Sequence, residues 1–339
     1  MFIKRGIDQH MKKLFLLIIL ASFANPEPAW PQSALPSALS LAPNELGKPI
    51  LTAWLPKDYG ADVQNWAIVQ DDRGVMYFGN NSGILEYDGV FWRLIQFPNK
   101  SVCRSLAKDA NGRIYAGGVG DFGYLAPDSV GQMRFVSLLP HLPEGARDFA
   151  DVWQTFVLQE SVYSGTNNYV FRWTPSESAL QGSEMAGEIK QWRPANVFHV
   201  SFVVDDAFYI REREKGLLRL QGDSLQLVPG GEQFANERIY VMLPFAEDSV
   251  ENTQHRHAER SRSILVGTRT QGLFLYDGQT FNPFKTEADE YLRQSTLFPP
   301  GTVLRDRHML LNTTRWRRGA AGSQRQALAN PRPQSRPAG

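Results

Sequence analysis

A single cysteine, Cys103, stands among the 339 residues. One thiol excludes an intrachain disulfide framework and any Cys-x-x-Cys metal or redox motif, and a small buried apolar side chain is the expectation for it. Sustained amphipathic helical periodicity is missing as well, so a helical architecture has nothing to build on. Long apolar runs are scarce: the longest, Leu14–Phe23, is about half of the roughly 20 residues that span a bilayer. Charge of one sign is absent overall, with 36 Lys and Arg against 35 Asp and Glu. Six Arg and no acid fall in residues 315–339, which leaves the rest of the chain at −5 where the whole stands at +1. A nucleic-acid partner therefore has no electrostatic footprint. The catalytic signatures HExxH, GxSxG and GxxxxGK[ST] do not occur, and His10, His141, His199 and His308 are scattered. What the chain has in quantity is apolar and aromatic residues, 42% and 12%, enough for a real core and too many for a disordered chain.

The amino terminus reads as an export signal. Met11-Lys12-Lys13 precedes the apolar run, Ser22-Phe23-Ala24 offers small residues where a signal peptidase cuts, and Pro26, Pro28, Pro31 and Pro36 follow. The expectation is a signal peptide over 1–24, with Met11 as an alternative start, a Pro-rich leader over 25–50, and a periplasmic or secreted location.

Self-similarity organises what comes next. Asp71-Asp72-Arg73-Gly74-Val75-Met76-Tyr77-Phe78-Gly79 matches Asp109-Ala110-Asn111-Gly112-Arg113-Ile114-Tyr115-Ala116-Gly117 at a constant offset of 38. A second half-motif, Gly83-Ile84-Leu85-Glu86-Tyr87-Asp88-Gly89, returns as Gly272-Leu273-Phe274-Leu275-Tyr276-Asp277-Gly278 and more loosely at Gly216–Gly222. Each half consists of β-rich runs joined by Asp-x-x-Gly or Asp-Gly turns. Four antiparallel strands in about 40 to 50 residues make a propeller blade. A sandwich would give short strands but no reason for one turn and aromatic motif to return in phase. The chain is therefore read as all-β, a β-propeller of four-stranded blades, about five full and part of a sixth, over 51–314. Ala246–Arg262 is read as a solvated hairpin insertion within blade five.

The line from Asn65-Trp66-Ala67-Ile68-Val69-Gln70-Asp71-Asp72-Arg73-Gly74 through Tyr87-Asp88-Gly89 resembles the two-component regulator propeller family of exported bacterial sensor domains. The resemblance covers roughly 50–314 and implies a ligand-sensing module without enzymatic activity of its own. In an intact relative it implies a membrane-anchored, dimeric output module further along the chain. The tail 315–339 breaks composition abruptly inside a blade, at the point where the family pattern expects Gly, and is read as a disordered basic segment produced by a frameshift, with the sensor truncated. The rival class is an exported propeller enzyme, a polysaccharide lyase or hydrolase.

Site chemistry is sparse. Gly118-Val119-Gly120-Asp121-Phe122-Gly123 spells GxGxxG, but Tyr124-Leu125-Ala126-Pro127 is a short strand where a dinucleotide loop needs a helix. His255-Arg256-His257 lacks carboxylate ligands at a metal-binding spacing, and Asp71-Asp72 and Asp205-Asp206 sit at turns of the repeat. No catalytic residue, metal or cofactor is expected. Repeat logic places the residues after each strand-ending Gly at one rim: Asn80, Asn81, Asp121, Asn167, Asn168, Arg211 and Arg269. Amides and Arg suit a small-molecule or oligosaccharide ligand bearing hydroxyls and carboxylates; Asn and Asp beside Gly are equally what a turn needs.

Overall fold

A computed structural model describes residues 52–176, 186–246, 262–287 and 289, and the strands at 2–5, 14–17, 296–303 and 309–314. The Pro-rich leader 25–50, the centre of the blade-five insertion with His255 and His257, and the tail 315–339 lie outside the described residues.

Five four-stranded antiparallel sheets follow one another along the chain, each paired in sequence order, as a β-propeller requires. Blade one is Asn65–Gln70, Met76–Asn80, Gly83–Tyr87 and Trp92–Ile95; blade two is Cys103–Lys108, Ile114–Gly118, Phe122–Pro127 and Met133–Ser137. Blade three is Gln154–Leu158, Ser161–Gly165, Val170–Pro175 and Gly187–Trp192; blade four is Phe198–Val204, Ala207–Glu212, Gly216–Gln221 and Ser224–Leu227. Blade five is Ile239–Ala246, Arg262–Thr268, Leu273–Tyr276 and Phe281–Pro283. A sixth sheet joins Thr296–Val303 and Met309–Thr314 to Phe2–Arg5 and Leu14–Leu17 from the other end of the chain. A mature chain starting after residue 24 would lack those last two strands. First strands of consecutive blades run side by side from blade one to the sixth sheet, which makes them the inner strands.

The turn motif explains itself at atomic level. Asp71 Oδ1 accepts the N–H groups of Arg73 and Val75, both at 2.9 Å, and Gly74 takes φ +88°. Asp109 and Gly112 repeat this, and so do Asp128 and Gly131 at the last turn of blade two, a third copy. In the Tyr-Asp-Gly half-motif, Asp88 Oδ1 accepts from Val90 and Phe91 N–H while the Tyr87 hydroxyl donates to Gly89 O at 2.7 Å. Asp277 and Tyr276 do the same in blade five. The paired acids Asp205 and Asp206 both take positive φ, at +48° and +56°, and close a two-residue hairpin.

Each interface between successive blades is filled by its own apolar cluster. Tyr77, Ile84, Cys103 and Ile114 join blades one and two; Phe122, Val152, Phe171 and Trp173 join two and three. Tyr163, Phe198, Phe208 and Leu218 join three and four; Val200, Leu217, Phe234 and Val266 join four and five. Cys103 is fully buried in the first of these, and burial pushes its thiol pKa up, so it is a packing residue. The repeat glycine allows the approach: a Cβ on Gly117 would lie 2.5 Å from Val152 Cγ1 of the next blade, and one on Gly79 would lie 3.1 Å from Cys103 Sγ.

Candidate functional site at one rim of the blades

In every blade the second strand runs back beside the first, so the end of the second and the start of the first share a rim. Asn65 pairs with Asn80, Cys103 with Gly118 and Gln154 with Gly165. The seven residues expected from the sequence at a common rim therefore lie on that side, and the structure shows what each one does there.

Asn80 is fully buried, its Nδ2 donating to Asp62 O at 2.7 Å and Asn65 Oδ1 at 2.8 Å while its Oδ1 accepts the Ser82 N–H. Asn81 accepts the indole N–H of Trp66 at 2.7 Å and so orients that ring. Asp121 is buried, accepts the Ser137 hydroxyl at 2.6 Å, and is pushed up to about 6 by burial. Asn167 and Asn168 are exposed; the Asn167 carbonyl accepts the Phe198 N–H of blade four and the Asn168 N–H donates to Thr166 Oγ1. Arg211 is buried, donating from Nε to Phe234 O at 3.0 Å and from Nη2 to Ala235 O. Arg269 is exposed, with its backbone N–H bonded to Arg238 O. Three of the seven, Asn167, Asn168 and Arg269, are exposed and offer side chains to a ligand; Asn81, whose Oδ1 accepts from Trp66 and whose Nδ2 donates to Asp62 Oδ1, joins Asn80, Asp121 and Arg211 in holding the loops that carry them. The GxGxxG string falls within this rim as two strand ends and a turn at Gly120, with no helix behind it.

A second set of residues shares the rim and escaped the sequence reading. The first strands of blades one, two, four and five each carry a register irregularity at their start, located at Trp66, Arg104, His199 with Val200, and Tyr240. A bulge re-aims a side chain out of the pleat. In blade three Trp153 holds the equivalent place just ahead of Gln154, its N–H donating to Gly165 O. These residues meet one another. The Arg104 guanidinium lies 4.1 Å from the Trp66 ring centre and 5.1 Å from that of Trp153, and Arg104 Nε donates to Asp151 Oδ1 at 2.6 Å. Trp66 and Trp153 stay 44% and 41% exposed, so each keeps a free apolar surface while Arg104 is held between them. Farther round, the His199 and Tyr240 rings sit 5.5 Å apart. The signal was present in the repeat offset: 38 residues separate Trp66 from Arg104 exactly as they separate the two turn motifs.

Positive charge predominates around His199 in blades four and five. Burial first, and then the positive charges of Arg238, Arg211 and Arg269, lower the His199 pKa to about 4. Arg211 is itself depressed by burial and by Arg238. The nearby acid, Glu237, has both carboxylate oxygens engaged, one accepting the Thr270 N–H at 2.8 Å and the other its hydroxyl at 2.6 Å. Among the described residues no group of three or more His, Cys, Asp or Glu gathers as a metal site, and no helix is long and apolar enough to cross a membrane.

No protein-family model and no curated protein matches the chain. Solved structures similar to it include the extracellular domain of BT4673 from B. thetaiotaomicron, described as a hybrid two-component system, at 15% identity and a TM-score of 0.45, over 74% of this chain and 30% of that one. The chain thus corresponds to under a third of that extracellular domain's length. Virginiamycin B lyase from Staphylococcus aureus is similar at 13% identity and a TM-score of 0.40, covering 73% of this chain and 80% of the lyase. The WD40 β-propeller domain of Doa1 is similar at 11% identity and a TM-score of 0.35, covering 74% and 93%.

Proposed function

We propose that this chain is the ligand-sensing propeller of an exported signal-transduction protein, binding a small-molecule or oligosaccharide ligand at the rim that carries Trp66, Arg104, Trp153 and Arg269. The observation that carries the reading is the gathering of half-exposed indoles, exposed amides and guanidinium groups on one rim of a repeat whose motif resembles exported sensor propellers. Indole faces receive the C–H face of a sugar ring, and Asn and Arg supply hydrogen bonds to hydroxyl and carboxylate oxygens. Signalling would pass to a membrane-anchored, dimeric output module in the intact protein, with residues 1–24 as its export signal and the segment after Thr314 as a frameshift product.

Tryptophan fluorescence, titrated with neutral and acidic oligosaccharides and followed by mass spectrometry of the recovered sugar, tests this. Saturable change with the sugar recovered intact supports a sensor. Conversion of the sugar would establish the polysaccharide lyase or hydrolase instead, and no fluorescence change with any sugar would remove the rim from consideration.

A further inference from the structure

We infer that the rim between blades four and five is an oxyanion pocket, built by His199, Arg211, Arg238 and Arg269, that receives the acidic group of the ligand; this deepens the reading of the rim as the ligand face and rests on it. Three guanidinium charges converge on one imidazole, in a chain whose body outside the basic tail is net negative. Three Arg side chains face one buried carboxylate, Glu237, and a bound anion offsets the positive charge left over. Glu237 balances one of these charges, acting on Arg211 while its two oxygens accept the Thr270 N–H and hydroxyl. Arg238 and Arg269 are exposed, the bond from Arg269 N–H to Arg238 O at 2.8 Å holds their backbones together, and Arg238 Nη1 donates to the hydroxyl of Tyr240, the ring that packs beside His199. Arg211 supplies charge from the buried side, where its Nε and Nη2 are fixed on backbone carbonyls. His199 Nδ1 is buried without a hydrogen-bond partner, and the neutral ring can carry its proton there and donate it to an anion oxygen. The groups facing His199 are thus Arg211, Arg238, Arg269 and the Tyr240 ring.

The ligand chemistry is an oxyanion, either the carboxylate of an acidic sugar or a sulfate or phosphate group. The test measures thermal midpoints of the full chain at fixed ionic strength with sodium glucuronate, sodium sulfate, inorganic phosphate or glucose, for the native chain, Arg238→Gln/Arg269→Gln and Arg238→Lys/Arg269→Lys. Both positions are exposed, so neither pair of substitutions threatens the fold. Sulfate and phosphate stabilise proteins generally by exclusion, and the difference between native and variant chains removes that contribution. We expect at least a tenfold weaker apparent affinity for the preferred anion in the Gln variant, with partial recovery in the Lys variant. Preference for glucuronate assigns the pocket to a carboxylate, and preference for sulfate or phosphate to an ester anion. Equal midpoint shifts in the native and Gln chains would overturn the inference. If a neutral oligosaccharide binds at the rim while no anion distinguishes the two chains, the pocket is refuted and the sensing rim survives; if no sugar and no anion binds, both fall.

Discussion

Asp121 and His199 are buried ionisable groups that pull the stability of the rim in opposite directions with pH. The carboxyl of Asp121, raised to about 6 from 3.8, binds its proton more tightly in the fold, so its contribution is present below about pH 4 and lost as pH rises through 6. The imidazole of His199, lowered to about 4 from 6.5, binds its proton less tightly in the fold, so its contribution is present above about 6.5 and lost as pH falls through 4. The two windows overlap and partly cancel in the native chain. Asp121→Asn keeps an acceptor for the Ser137 hydroxyl and removes a buried charge. It is expected to raise stability at pH 7.5 by about 1–2 kcal/mol and to leave a steeper loss between pH 6 and 4, read by thermal melts across pH. A lower midpoint at pH 7.5 would show that the ionised carboxylate is a required structural partner. None of this was legible in the sequence, where Asp121 is one acid beside a Gly and His199 one scattered histidine. Burial and the convergence of distant Arg residues are tertiary facts.

At the scale of the element, the repeat motif encodes two different physical demands. Its Asp and its turn Gly satisfy backbone N–H groups and a left-handed φ locally, which is why the strand boundaries in blades one and two could be read so closely from Asp71–Gly74 and Asp109–Gly112. Its strand-ending Gly serves the neighbour: Gly117 leaves room for Val152 of the following blade. Gly117→Ala places a methyl inside that contact, and a destabilisation of about 2–4 kcal/mol is expected from denaturant unfolding. Gly89→Ala meets no atom within 4 Å and is strained only by its φ of +101°, so a smaller loss of about 1 kcal/mol is expected. Equal losses at the two positions would contradict the close-approach account. The fourth strand of blade three, Gly187–Trp192, and the bulges at the starts of the inner strands were harder to foresee. The sequence between Pro175 and Gly187 holds no Asp-x-x-Gly or Asp-Gly turn to mark the strand, and a bulge adds one residue to a strand without a residue type that announces it.

Across the molecule, the blades are joined by apolar clusters on the face each turns to the next, and blade one has one face outside that series. By strand alternation Val69 and Tyr77 pack toward blade two, so Ile68 points the other way, and it is 61% exposed. Trp54 and Tyr59 partly cover that face by packing on Trp92. An uncovered apolar strand recruits other chains. Concentration-dependent association is therefore expected in sedimentation velocity. Ile68→Glu should shift the chain toward monomer with its melting point nearly unchanged, whereas an unaltered distribution would locate the association elsewhere. The blade count and the common rim followed from the in-phase repeat, because phase alone fixes which loops share a side. Which rim residues remain open to a ligand depends on packing that the repeat does not specify.

The central claim is that ligand binds at the rim where second strands end and first strands begin. Hydrogen–deuterium exchange of the full chain, with and without saturating glucuronate-containing disaccharide, tests it most directly. Protection is predicted at residues 80–82, 119–121, 166–169, 211–213 and 268–271, with turns 71–75, 109–113 and 205–206 on the opposite rim unchanged. Protection confined to that opposite rim, or absent from both, would contradict the account.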